Sequence, residues 1–183
     1  MSAPAPSFPP STPLSTPPST LAGLLDAGHA ALLERRVSVI VSTRDAARVP
    51  HLMRATGYRI DAGAGTVTLL LCAVQAGDTL ADIAANQAIA VVFSEPTTHQ
   101  TLQLKGFDAR HTAVQADDGA RVAAYRERFA DELAELDIAR DLIVGGLLNC
   151  AGGSLVAVTF TPTLAFRQTP GAHAGAPIAS GAP

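Results

Sequence analysis

The chain has 183 residues, with 13 Lys or Arg, 16 Asp or Glu and a net charge of −3. A protein that follows a nucleic-acid backbone needs a basic face, so this charge argues against a nucleic-acid partner. No apolar run approaches the ~18 residues of a membrane helix, and no secretory signal pattern is visible. These features predict a cytoplasmic protein without a membrane partner. A single lysine among the basic residues favours a bacterial source with a GC-rich genome.

The charge distribution divides the chain into one domain and two tails. Residues 1–20 hold seven prolines and no charged side chain, and residues 169–183 hold three prolines and again no charge. Uncharged segments rich in Pro, Ser, Gly and Ala bury too little apolar surface to offset their ordering entropy. We therefore predict a disordered Pro/Ser-rich tail over 1–20, a single domain over 21–168, and a Pro/Gly/Ala-rich tail over 169–183.

In the first half, the apolar spacing of Leu21, Leu24, Leu25 and Leu32 predicts a helix capped by Ser19 or Thr20. Residues 36–43 alternate as a strand, and residues 44–48 turn it back. A second strand is expected over 49–61 and a third over 66–74, followed by a short helix that starts at Gly77. Residues 69–74 are apolar on both strand faces, which places them inside a barrel or beneath a second subunit.

In the second half, period-two alternation predicts strands over 88–94 and from 101 through 114. A helix begins at Asp117-Asp118, a shorter one covers 138–148, and a last strand covers 154–166. A parallel sheet would need a helix after nearly every strand, and only one short helix interrupts the first five. The elements predict an α+β fold built on an antiparallel barrel.

Motifs for nucleophilic, phosphate-binding or metal chemistry are absent, so no catalytic residue and no metal ligand is predicted. The five histidines lack metal-ligand spacing, and each is interpreted as a surface or hydrogen-bonded residue. The pairs Asp117-Asp118 and Asp131-Glu132 fit a helix cap or a solvated helix face. Cys72 and Cys150 lie far apart in a chain without an export signal, which predicts two reduced, structural thiols.

Residues 88–106, AIAVVFSEPTTHQTLQLKG, preceded by the helix start Gly77-Asp78-Thr79, resemble the core of the pyridoxamine 5'-phosphate oxidase-like flavin-binding split barrels. The resemblance covers most of 36–106 and, more loosely, 154–166. It implies an antiparallel split β-barrel with peripheral helices, and a homodimer that holds flavin mononucleotide (FMN) in two clefts at the subunit interface. The cofactor-binding residues that it implies are Met53, Arg54, Ala55, Thr56, Cys72, Ala73, Asp78, Thr79, His99, Gln100 and Thr101.

The chain departs from that family at two points. Oxidases of pyridoxamine phosphate show a Ser-Arg-Lys type cluster at the helix start, whereas this chain has Gly77-Asp78-Thr79. They also end in an Arg-x-His-Asp-Arg type signature, and the corresponding segment here reads FRQTPG from residue 166. Pyridoxamine phosphate oxidase activity is therefore not expected. Arg54 or Arg59 would supply the missing charge if either side chain faces the cofactor rather than solvent.

Three functional hypotheses follow from the resemblance and its departures. The first is an FMN-dependent oxidoreductase that acts on an unassigned small molecule, because the flavin carries the electron chemistry itself. The second is a non-catalytic binding module for flavin, haem or another planar ligand. The third is a barrel that has lost its ligand.

Overall fold

The computed structural model describes residues 21–150 and 154–178. The whole first tail, with the Ser19 or Thr20 cap, and the end of the second lie outside the described residues. Within the described residues nine strands are formed: β1 Ser38–Arg44, β2 Pro50–Arg54, β3 Gly57–Asp61, β4 Thr66–Cys72, β5 Ile89–Ser94, β6 Thr101–Gly106, β7 Arg110–Thr112, β8 Leu155–Phe160 and β9 Leu164–Arg167. The α-helices are α1 Leu21–Leu24, α2 Ala27–Leu32, α3 Gly77–Asn86 and α4 Asp118–Ala134, with a 3-10 turn at Ala73–Gln75 and a π-helical segment at Leu142–Leu147.

The strands form two antiparallel sheets that enclose one apolar core. The five-stranded sheet has the order β2-β1-β5-β6-β9, and the four-stranded sheet has the order β3-β4-β8-β7. One cluster of buried side chains includes Val41 and Phe93 from the first sheet and Leu69 and Phe160 from the second. The α+β class is confirmed, with an antiparallel split barrel and peripheral helices.

The strand predicted over 49–61 is two strands, one in each sheet. The amide of Ala55 donates to the carbonyl of Val39 at 3.0 Å, and the next amide, of Thr56, donates to Leu70 at 2.9 Å. Consecutive residues therefore bond to different sheets. Ala55, Thr56 and Gly57 at the crossing are buried in succession, so the alternation in burial stops there, and the expectation of a single strand over 49–61 is wrong.

The strands predicted through Val114 and over 154–166 are also divided between the sheets. The first ends at Gly106, and the chain re-enters the other sheet as β7. A Cβ at Gly106 would lie 2.6 Å from the Phe160 ring and 2.7 Å from the carbonyl oxygen of Thr161. The backbones at Gly106 and Thr161 therefore lie too close together for a side chain at position 106, which is one reason for a glycine within a strand.

The first predicted helix is also divided, into α1 and α2. The break falls at Asp26, whose carboxylate accepts a hydrogen bond from the amide of His29 at 2.9 Å and caps α2. Gly28 lies inside the second helix and does not interrupt it.

Both faces of β4 are covered within a single chain. Leu69 and Leu71 belong to the core between the sheets, and Leu70 is fully buried outside that cluster. A Cβ atom added at Gly57 would lie 3.4 Å from the Leu70 side chain and 3.1 Å from the side chain of Val122 in α4, so these two residues lie close together. Helix α4 therefore covers the face that the sequence assigned to a barrel interior or a second subunit. The apolar strand is not evidence for a dimer.

Cys72 and Cys150 form a disulfide, so the prediction of two reduced thiols is wrong. The cysteines are separated by 78 positions in the sequence, and nothing in the sequence indicates that the end of β4 meets the segment after the π-helical turn. Because disulfides are rare in cytosolic proteins, the cysteines no longer support the cytoplasmic prediction. Within the described residues, no helix has the length and hydropathy needed to cross a membrane.

Two carboxylates that the sequence placed on a cap or a solvated face are fully buried. Asp118 accepts hydrogen bonds from Arg59 at 3.1 Å and from the amide of Gln115 at 2.8 Å. Glu132 accepts from the amide and the hydroxyl of Thr97 at 2.9 and 2.6 Å. The two carboxylates tie α4 to β3 and to the turn between β5 and β6. Helical periodicity placed these acids on the polar face but could not show that this face is partly covered.

Part of the predicted second tail lies along β9. The amide of Arg167 donates to Ala176 and the amide of Ile178 donates to Ala165, both at 2.9 Å. Ile178 also packs against the core. Residues 171–178 thus extend the contacts of the first sheet, while the division of the chain into a domain and two tails stays a prediction.

Candidate functional site

The two faces of the five-stranded sheet differ in burial. Along β1, β5 and β6, every second side chain points into the core and is buried, while the intervening ones are half-exposed. We call the half-exposed side the outer face. The register places on it Leu52, Arg54, Ser38, Ile40, Ser42, Ala90, Val92, Ser94, Thr101, Gln103, Lys105, Leu164 and Phe166.

Three hydroxyl side chains stand side by side at one end of the outer face. Ser38 pairs with Ser94, and Ser94 pairs with Thr101, so the three residues cross β1, β5 and β6 in one line. The hydroxyl oxygens of Ser94 and Thr101 lie 2.8 Å apart. At the β1 end, Nη1 of Arg54 donates to the Ser38 hydroxyl at 2.6 Å. We refer to Ser38, Ser94 and Thr101 as the hydroxyl row.

Arg54 is a half-buried cation that lacks an acidic partner. Burial lowers the pKa of its guanidinium, whose central carbon lies 5.6 Å from the centroid of the Phe129 ring. In the described part of the chain, no carboxylate lies within ion-pair distance of it. Nearby arginines differ, since Arg35 pairs with Glu95 at 3.0 Å and Arg36 pairs with Glu132 at 3.1 Å. Arg54 is therefore a half-buried cation whose side chain contacts the Ser38 hydroxyl and the Phe129 ring.

Several of the predicted cofactor-binding residues have structural roles in the fold. Ala55 and Thr56 are buried at the crossing between the sheets, where the Thr56 hydroxyl donates to the Leu70 carbonyl at 2.9 Å. Met53 packs against the core, and Cys72 is buried in the disulfide. Ala73 begins the 3-10 turn that follows β4. The structure gives these five residues no free polar side chain with which to hold a phosphate.

The start of α3 lies on the other side of β2 from Arg54. Asp78 is exposed and Thr79 is buried, and the carboxylate of Asp78 helps raise the pKa of His51. His51 and Arg54 are three residues apart in β2, and the alternation of the strand directs their side chains to opposite faces. The helix start and Arg54 are therefore not brought together in one chain. His99 and Gln100 are exposed in the β5–β6 turn beside Arg35.

A hydrogen-bonded group that sequence reasoning missed attaches α3 to the sheet. Oδ2 of Asp82 lies 2.8 Å from Nδ1 of His51 and accepts from the Thr43 hydroxyl at 2.7 Å. The hydrogen bond to Asp82 raises the pKa of His51. Burial works to raise the pKa of Asp82, but its hydrogen bonds outweigh that effect and lower it. Ser38 and Ser94 were also missed, because only the strand register reveals that they align with Thr101.

Comparison with known proteins finds similarity in structure only. No family model and no curated protein matches the chain. Similar solved structures include HupZ of Group A Streptococcus, with 16% identity, coverage of 82% of this chain and 99% of that chain, and a TM-score of 0.48. The fold is the split barrel that the sequence predicted.

Two further structures carry the name of the predicted family. One is a putative pyridoxamine 5'-phosphate oxidase from Lactobacillus delbrueckii, with 14% identity, coverage of 79% and 94% of the two chains, and a TM-score of 0.48. The other, from Clostridium acetobutylicum, is related to general stress protein 26 of Bacillus subtilis and described as of the pyridoxinephosphate oxidase family. It has 15% identity, coverage of 78% and 88%, and a TM-score of 0.45. At these identities, the similarity concerns the fold alone.

Proposed function

We propose that the protein is a flavoprotein that binds FMN on the outer face, with the phosphate at Arg54 and the hydroxyl row. The observation that carries this proposal is the half-buried Arg54 guanidinium without a carboxylate partner. A desolvated cation is unfavourable until an anion pairs with it, and a phosphate accepts several hydrogen bonds at once. Ser38 already contacts Arg54, and Thr101 adds a hydroxyl from the predicted set.

The neighbouring side chains suit a flat ring with a polar edge. The next line across the sheet runs from Arg54 through Ile40 and Val92 to Gln103, which places two aliphatic side chains and one amide beside the hydroxyl row. The aliphatic pair offers a surface for a planar ring, and the Gln103 amide can both donate and accept a hydrogen bond. These residues therefore fit the group that the family resemblance implies.

We further propose that the flavoprotein is an oxidoreductase with a small-molecule substrate. A bound flavin supplies the electron transfer, so the chain has to bind it, orient it and limit the access of water. Pyridoxamine phosphate is not the proposed substrate, because the helix start carries Asp78 where those oxidases carry cations. Reduction of the bound flavin by a nicotinamide cofactor, followed at the flavin absorption band, tests the redox assignment.

Titration of FMN and riboflavin, followed by flavin fluorescence, tests the site. A charge-assisted hydrogen bond to phosphate contributes about 1.5 to 3 kcal/mol, so Arg54→Ala should weaken FMN binding roughly ten- to a hundredfold. Riboflavin has no phosphate and should bind the wild type and Arg54→Ala almost equally. Arg121→Ala removes an exposed arginine of α4 that pairs with Asp117, so it is the control and should have little effect. Equal affinity of the wild type for FMN and riboflavin would refute the proposed phosphate site.

A non-catalytic binding module is the second candidate, and one observation favours it. The outer-face residues include no histidine, carboxylate or cysteine. A ligand there would meet no side chain with the usual acid or base chemistry near neutral pH. The visible spectrum of protein purified without added cofactor, with mass spectrometry of any released ligand, separates flavin from haem. A bound flavin that no nicotinamide cofactor reduces would favour this candidate.

We also propose a homodimer in which a second copy covers the outer face. The proposal is supported by apolar side chains on that face that remain accessible to solvent. Leu52 is 65% exposed, and Ile40 and Val92 are half-exposed. Such a face on a closed core is a common site of symmetric association. Analytical ultracentrifugation of the full chain at micromolar concentration should show a dimer, and a monomer would contradict the proposal.

A further inference from the structure

A second feature of the outer face lies at the end opposite the hydroxyl row. At that end lies a cavity of about 290 Å³ that is open to solvent. Its lining includes Ser42, Ala90 and Lys105, which lie on the three adjacent strands β1, β5 and β6. Arg44 lines it from the end of β1, and Arg48 lines it from the turn between β1 and β2. We call this opening the basic cavity. None of its lining residues belongs to the predicted cofactor-binding set.

The charges around the basic cavity have one sign. Its lining includes two arginines and the lysine but no carboxylate. Across the residues that the structure describes, neither these arginines nor Lys105 has an acidic side chain within ion-pair distance. Arginines elsewhere on the domain do, among them Arg59 with Asp118 and Arg121 with Asp117. Three cationic residues that line one cavity without a carboxylate give the cavity a positive potential.

Local contacts hold these cations in place. The carboxylate of Asp45 accepts from the amide of Val49 at 2.8 Å, so this nearby acid is engaged with the backbone of the turn. The amide of Arg48 donates to the Asp45 carbonyl at 3.1 Å, and Arg48 has φ of 67°. Lys105 lines the cavity from β6, and its ammonium lies 4.6 Å from the centroid of the Phe166 ring of β9. The cationic residues are thus presented by β1, by the turn that follows it and by β6.

The remaining lining is largely apolar. Pro50 and Ala90 contribute aliphatic surface, and the Phe107 side chain at the cavity is 61% exposed. An exposed aromatic side chain beside clustered cations matches a ligand that has an anionic head and an apolar body. The small volume restricts that ligand to a few heavy atoms beyond its head group.

We propose that the basic cavity binds a small organic phosphate monoester with an apolar body. Three cationic residues, from β1, the following turn and β6, match a dianion better than a carboxylate, which carries a single charge. Phosphate also accepts hydrogen bonds from several donors at once, including the Ser42 hydroxyl. This proposal is independent of FMN binding, because the basic cavity and Arg54 lie at opposite ends of β2.

Isothermal titration calorimetry of the full chain with phenyl phosphate tests the proposal. Phenyl phosphate should bind the wild type, inorganic phosphate should bind more weakly, and phenol should not bind. Arg44→Gln and Lys105→Gln should each weaken phenyl phosphate binding at least about tenfold, as expected for the loss of one charge-assisted contact. Arg121→Ala removes an exposed arginine from α4 and should change the affinity less than about twofold.

Two results would overturn the proposal, and they bear differently on FMN. If phenyl phosphate does not bind the wild type, or if Lys105→Gln and Arg121→Ala weaken it equally, the basic cavity is not a phosphate site. If Arg54→Ala alone removes phenyl phosphate binding, the ligand lies at the hydroxyl row, and the proposed function stands without the second site. Circular dichroism of each variant verifies that the fold is retained.

Discussion

Replacement of Glu132 by alanine should destabilise the domain far more than replacement of Glu135, although both carboxylates pair with Arg36. The Glu132 side chain is fully buried, whereas that of Glu135 is 53% exposed. Glu132 accepts two hydrogen bonds from Thr97, and bonds to a charged acceptor contribute about 1.5 to 3 kcal/mol each. Water would partly replace these bonds, so we expect a loss of about 3 kcal/mol for Glu132→Ala. The loss for Glu135→Ala should be below measurement error.

Urea denaturation, followed by far-UV circular dichroism, measures both variants with the wild type as reference. A lower midpoint with an unchanged slope shows that the native state, rather than the denatured ensemble, has changed. Glu132→Gln keeps one acceptor for Thr97 and should lie between the wild type and Glu132→Ala. If Glu132→Ala and Glu135→Ala have the same stability, the carboxylate is solvated, as helical periodicity suggested, and the buried contact with the β5–β6 turn does not form.

Three further predictions concern other parts of the fold. Gly106→Ala should cost about 1 to 3 kcal/mol in urea denaturation because its Cβ would clash with the Thr161 carbonyl, while Gly119→Ala, which has open space, should cost nothing measurable. Since Asp82 raises the pKa of His51 above 6.5, the stabilisation that His51 provides is complete below about pH 6.5 and is lost as the pH rises through its folded-state pKa. The stability difference between the wild type and His51→Gln should therefore shrink between about pH 6 and pH 8, and a difference that grows would refute the pairing. Finally, protein unfolded without reductant should show no thiol reactive to maleimide and, after reduction, two; free thiols before reduction would contradict the disulfide.

The sequence predicted an element correctly wherever the predicted strand stays within a single sheet. Strand β1, helix α3, and the β5–β6 hairpin fall close to their predicted positions, because period-two alternation, glycine or proline boundaries and helical spacing act locally. The three predicted strands that cross between sheets were each read as one element. At Ala55 and Thr56 the change of sheet is marked by hydrogen bonds to residues far away in the sequence, and a local pattern does not contain these contacts.

The candidate site was less predictable, because it depends on alignment between strands. Arg54 and Thr101 were in the predicted set, but Ser38 and Ser94 were not. No local pattern distinguishes a serine in a half-exposed strand position from one that lines up with two other hydroxyls. The family resemblance also placed the helix start beside Arg54, whereas alternation within β2 directs His51, the neighbour of that helix, to the opposite face.

The net charge of −3 argues against a polyanionic partner but does not describe any single face of the molecule. Several carboxylates are buried and engaged within the domain: Asp82, Glu95, Asp118 and Glu132. Cations without acidic partners among the described residues remain at both ends of the outer face, with Arg54 at one end and Arg44 and Lys105 at the other. Burial thus removes negative charge from the surface and leaves small, separate positive sites on one sheet. Such sites are too limited for a nucleic-acid backbone, which requires a continuous basic track, but they are suited to single phosphate groups.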